Sequence, residues 1–163
     1  MAPRTYRIVR EPRGELWSKL LLHLGRYATY ISVIIRDGLP LEKSGQDLLR
    51  RLSPYVVDTR RVTSWPGTVL LGEEASLTRI KASADAICLI SETVQGLYDW
   101  RQPRFPEDLA LLAEDGGAVL GSVAHESDAF LELNDDQYAE TIAAIPDISH
   151  ILARQDVGRN TYP

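Results

Sequence analysis

Residues 100–133, WRQPRFPEDLALLAEDGGAVLGSVAHESDAFLEL, constrain the fold of this chain more than any other stretch. Pro103 and Pro106 hold the entry extended, because each fixes its own φ and biases the preceding residue away from helix. Residues 109–113 then form a short apolar run, Asp115-Gly116-Gly117 supplies turn chemistry, and residues 118–124 resume with small and β-branched side chains. This pattern predicts a β-hairpin whose second strand ends at His125 and Glu126.

The flanking segments supply helices and further strands. Residues 2–13 read as an edge strand or a loose arm, and residues 15–24 place Leu16, Trp17, Leu20, Leu21 and Leu24 at helical spacing. Residues 27–36 are rich in β-branched and aromatic side chains and apolar on both faces, which predicts an interior strand. A second helix is expected over residues 43–55, stopped near Pro54, with Leu48, Leu49, Leu52, Tyr55 and Val56 facing inward. Residues 57–64 read as a strand running into the Trp65-Pro66-Gly67-Thr68 turn, with more strand at 69–71 and 75–81. A third helix is expected over 84–98, capped by Ser83, with Cys88 as a core residue on its broad apolar face. A fourth starts at Asn134, paired with Gln137 in a capping box, and stops at Pro146. Ile148, Ile151 and Leu152 then dock a last turn. Helices separated by strands and hairpins predict an α+β fold in which a mainly antiparallel or mixed sheet is covered by helices. Residues 1–153 are expected to form this single domain and residues 154–163 a frayed tail.

Length and composition set the class. With 163 residues, 44% of them hydrophobic and 25% charged, the chain can bury one sizeable core. Its single cysteine rules out an internal disulfide framework and suits a reducing cytoplasm. Neither a signal peptide nor an apolar run of about 18 to 20 residues is visible, so secretion and a membrane partner are not expected. The net charge of −5 conceals a division: residues 1–81 carry 14 Lys and Arg against 8 Asp and Glu, whereas residues 107–147 carry 11 acids and no Lys or Arg. Either the basic half folds against the acidic half, or an acidic face is left for a cationic partner.

Candidate chemistry is sparse. No GxGxxG follows a strand and no GxxxxGK[ST] is present, so no nucleotide cofactor is implied. The three histidines, His23, His125 and His150, lack HxH, HExxH or HxxxH spacing, and no metal site is expected. Ser122 lies outside a GxSxG elbow. Despite Arg50-Arg51 and Arg60-Arg61, no nucleic-acid-binding module is recognisable. The most suggestive polar group is His125 with Glu126, together with Glu107 and Asp108, which could approach His125 across the hairpin and serve acid-base chemistry. Adjacency in a strand would send His125 and Glu126 to opposite faces unless a bulge intervened. At the corner after Pro106, Glu107 and Asp108 could equally accept backbone or histidine N–H groups. Trp65 and Trp100 flank turns and could cap the core or line a groove.

Taken in order, Trp65-Pro66-Gly67-Thr68, Tyr98-Asp99-Trp100, Pro106-Glu107-Asp108-Leu109, Asp115-Gly116 and Ser122-Val123-Ala124-His125-Glu126 resemble a pattern of small, mostly uncharacterised actinobacterial proteins. The resemblance covers residues 65–133. Such proteins are similar to immunity and accessory proteins encoded near toxin or defence genes, and no catalytic residue is carried over from them. The expectation is a non-enzymatic, immunity-like module that binds a cationic protein, such as a basic toxin or enzyme, through Glu126, Asp128, Glu132, Asp135 and Asp136. The alternatives are a small enzyme using His125 as general acid or base, and a structural subunit of a larger assembly.

Overall fold

The computed structural model describes residues 2–155. Its elements in chain order are β1 (Arg4–Ile8), α1 (Gly14–Leu24), β2 (Tyr30–Arg36), α2 (Lys43–Leu52), β3 (Val56–Val62), β4 (Ser64–Trp65), β5 (Thr68–Val69), β6 (Ala75–Lys81), α3 (Ala84–Thr93), β7 (Glu107–Leu112), β8 (Ala118–Val123), β9 (Asp128–Leu133), α4 (Asp135–Ala144) and β10 (Leu152–Arg154). Eight strands form one antiparallel sheet in the order β10-β1-β9-β8-β7-β2-β6-β3. The fold is a single α+β domain, as the alternation of helical and strand patterns predicts.

Strand alternation gives the sheet two unlike faces. Tyr6, Ile8, Ile31, Val33, Ile80, Leu109, Leu111, Leu120 and Leu131 point into the core shared with Trp17, Leu20, Leu21 and Leu24 of α1, Leu48 and Leu52 of α2, and Ile87 and Ile90 of α3. Trp17 is fully buried, and its indole N–H donates to the Val94 carbonyl at 3.0 Å, tying α1 to the end of α3. The other face carries a smaller cluster of Ile34, Trp65, Ala75 and Leu77, covered by the β4–β5 hairpin. Gly67 at the tip of that hairpin has φ +85°, and a Cβ there would lie 2.7 Å from Val123 Cγ2. Only glycine suits this close approach.

Several local expectations change in three dimensions. The third helix ends at Thr93 instead of continuing to residue 98: Val94 is extended, Gly96 bridges to Arg13, and Leu97–Asp99 form a 3-10 turn. Gly96 allows that break. Cys88 is exposed, not a core residue, because α3 buries Ala86, Ile87 and Ile90 and turns position 88 outward. Val56 leaves the second helix as the first, exposed residue of β3, since Pro54 converts the helix end into a 3-10 turn over Ser53–Tyr55. The second hairpin strand stops at Val123, and residues 128–133 form a separate strand, β9. Arg154, placed at the start of a frayed tail, pairs with Tyr6 in β10. An edge strand needs only backbone partners, and the three residues of β10, Leu-Ala-Arg, are too few to show a strand period. The remainder of that tail, residues 156–163, lies outside the described residues. Both predicted caps are present: Ser83 Oγ accepts from Ala86 N at 3.2 Å, and Asn134 and Gln137 form a reciprocal capping box.

Candidate functional site

The corner singled out by the sequence is built where β7 begins, β8 ends and the β4–β5 hairpin folds over the open face. Between Ser32 and Ile34 the β2–β7 register shifts, so that Asp108 and Leu109 oppose the single residue Val33. Asp108 takes φ +54° at this bulge, a left-handed conformation that aspartate tolerates better than most residues. Its carboxylate, 2% exposed, accepts the Trp65 indole N–H at 2.8 Å and the Ala124 backbone N–H at 2.9 Å. One side chain therefore clamps the WPGT hairpin and the end of β8 to the sheet.

Glu107, on the same face as Ile34, accepts from Arg36 Nε at 2.7 Å. The Arg36 guanidinium also stacks 5.3 Å from the Trp65 ring centroid. Gln102, which precedes a cis proline, fixes the end of β2 by accepting from Arg36 N at 2.7 Å and donating to the Leu39 carbonyl at 2.6 Å. Sequence reasoning missed Arg36 and Gln102. Their partners lie 71 and 66 residues away along the chain, and no local pattern marks such pairs.

Beyond Val123 the chain turns through a 3-10 segment, Ala124–Glu126, before Ser127 reverses it with φ +51°. This turn, and not a continued strand, sets His125 and Glu126 side by side, with His125 Nε2 3.6 Å from Glu126 Oε1 and both side chains exposed. The fold also brings His125 to Glu107 and Asp108: one ligand-competent atom from each of the three lies within 4.8 Å of the others. Such a group could share a proton or meet a cation. However, Arg36 already neutralises Glu107, and both Asp108 oxygens carry structural hydrogen bonds.

The five acids expected to meet a partner run in chain order from the turn before β9 into α4 but divide between the two sides of the sheet, since α4 packs on the helix-covered side, where its Tyr138 stacks on Tyr6. Glu126 stands in the turn before β9, Asp128 and Glu132 lie on the open-face side of β9 with Phe130 between them, and Asp135 and Asp136 occupy the first turn of α4. Carboxylates in that first turn also complement the helix dipole. The basic β1 strand lies alongside and answers part of this charge: Arg7 Nε is 3.1 Å from Asp128 Oδ1, and Arg4 is 3.3 Å from Asp135. Among the described residues Glu132 and Asp136 have no ion pair, and Glu126 has only His125. Burial pushes the nearby Tyr98 phenol up to about 12, and the charges of Asp128 and Glu11 add to the shift. The division of charge along the chain is thus answered internally only in part.

A groove of about 390 Å³ opens on the same sheet face, lined by Tyr30, Leu77, Arg79, Leu112, Trp65 and Pro66 among others. Exposed large apolar side chains come from separate elements, among them Leu22 of α1, Val56 and Val57 of β3, and Val69 of β5. Among the described residues no helix is long and apolar enough to cross a membrane. The fold and its corner define an α+β protein with a helix-covered sheet and a β4–β5 hairpin clamped to its open face by Asp108. No family model matches the chain, and no curated protein or solved structure matches it.

Proposed function

We propose that this chain is a cytoplasmic, non-enzymatic binding protein of the immunity or inhibitor kind, which takes a cationic protein partner along the acidic stretch from Glu126 through β9 to α4. The observation that supports this reading is the opposite fate of the two sets of carboxylates. Glu107 and Asp108 are turned inward onto Arg36, Trp65 and Ala124, whereas Glu126, Glu132 and Asp136 retain charge unanswered by Lys or Arg among the described residues. Asp128 and Asp135 can be recruited as well, because exposed ion pairs such as theirs with Arg7 and Arg4 contribute only about 0–1 kcal/mol. The partner would be steered by charge and occluded where it binds.

The test is capture from native lysate by the tagged full chain, at low and high salt, beside a Glu126→Lys, Glu132→Lys, Asp136→Lys variant. The expected result is a stoichiometric basic protein released by salt and missed by the variant. Retention insensitive to both, or no retained protein, would rule the reading out.

A second possibility, general acid-base catalysis by His125, draws on its approach to Glu107 and Asp108. A His125→Ala variant that keeps its fold and partner yet loses a measured turnover would favour it.

A further inference from the structure

The two ends of the sheet differ. One is closed by β10, three residues long, and the other is β3, seven residues long and hydrogen-bonded only to β6 within the sheet. Apart from the Val56 N–H, which donates to the Ser53 carbonyl, its outward backbone groups have no backbone partner among the described residues. Its sequence, Val-Val-Asp-Thr-Arg-Arg-Val, contains no proline, and the charges it carries are of both signs, so that they can pair across a free edge as well as guard it. Val56 and Val57 are 38% and 50% exposed.

We infer that this edge pairs with the β3 edge of a second copy, antiparallel and centred on Thr59, so that two sheets join into one. A two-fold axis through such a pair stands perpendicular to the sheet, which keeps both helix layers on one side and allows only same-face residues to meet. Centred on Thr59, each Asp58 faces Arg60 of the second copy, both on the open face of the sheet. Moving the centre to Arg60 or to Asp58 sets like charges directly opposite, which disfavours both registers.

The side chains are placed to accept this register. Arg60 has no ion pair or hydrogen bond among the described residues, while Asp58 is held from within its own chain by Arg79, Nε to Oδ1 at 2.9 Å, and keeps 38% exposure. Arg79 is itself stacked 4.6 Å from the centroid of Tyr30. Each Asp58 would then lie between its own Arg79 and the incoming Arg60. A β-bulge at Val57 interrupts the ladder at one end, so the pairing centres on Asp58 to Arg60 and the association is weak and concentration-dependent.

The inference is independent of the acidic stretch, and its test reads register directly. In a Cys88→Ser background, Thr59→Cys places two thiols across the axis at a Cα separation of about 4.5–5.5 Å, within disulfide range. It should form a disulfide-linked dimer on mild oxidation, and Arg60→Cys should not. Sedimentation over a concentration series should show a monomer–dimer equilibrium. Arg60→Asp should raise its dissociation constant by at least about tenfold, because the reversed charge enters twice; circular dichroism verifies that each variant is folded. A chain that stays monomeric with Thr59→Cys unlinked would overturn the inference. Equal cross-linking through Arg60→Cys, a dimer indifferent to Arg60→Asp, or Thr59→Cys captured by a different protein's strand would do the same.

Discussion

Replacing Asp108 by alanine should be among the most damaging single changes in this protein, and the structure sets its size. The substitution leaves the Trp65 indole N–H and the Ala124 backbone N–H, both buried, without an acceptor. An abandoned buried donor costs about 1–3 kcal/mol, and alanine at a positive φ adds up to about 1 kcal/mol relative to aspartate. The expected loss is about 3–5 kcal/mol, a large part of the ~5–15 kcal/mol that holds a domain of this kind folded. Asp108→Gly relieves the backbone but not the donors, and should recover about 1 kcal/mol of that loss. Trp65→Phe removes one donor, so the Trp65→Phe, Asp108→Ala double variant should be less destabilised than the sum of the singles by about 1–2 kcal/mol. Urea unfolding followed by far-ultraviolet circular dichroism measures all four, provided the denaturant slope is unchanged. If Asp108→Ala cost under about 1 kcal/mol, or if the double variant were additive, the clamp would not hold the hairpin as described.

Two further predictions concern the helix layer. Gly45→Ala should destabilise by about 1–3 kcal/mol even though alanine is the better helix former by about 1 kcal/mol, because the added Cβ would lie 2.7 Å from the Arg104 carbonyl oxygen and 3.3 Å from Phe105 Cα; a gain in thermal midpoint would refute that packing. Burial, assisted by the charge of Arg26, holds the His23 imidazole below its ordinary range, while its Nε2 lies 3.1 Å from Thr141 Oγ1 and 3.2 Å from the Tyr27 hydroxyl. The unfolded chain therefore binds a proton that the folded chain resists, so stability is full above the ordinary histidine pKa of about 6.5 and falls as pH drops below it. His23→Gln should flatten that decline between about pH 6.5 and 5 in unfolding curves, and an unchanged slope would exclude His23 as its source.

Much of the local architecture was legible because it depends on short-range chemistry. The Asp115-Gly116-Gly117 turn between two apolar runs set the β7–β8 hairpin, the capping residues Ser83 and Asn134 marked two helix starts, and the apolar character of β2 on both faces identified an interior strand. The encounter of Glu107 and Asp108 with His125 could be anticipated across the hairpin. Tertiary structure alone decided that Asp108 would sit in a bulge and be spent on Trp65 and Ala124, that Arg36 would neutralise Glu107, and that a 3-10 turn would set His125 beside Glu126. It also made a strand of Leu152–Arg154, turned Cys88 outward, and inserted β6 between β2 and β3, leaving β3 as a free edge. Periodicity, caps and turns act over a few residues and are written in the chain. Strand order and the partners of a buried carboxylate join residues tens of positions apart, and only packing in three dimensions chooses among them.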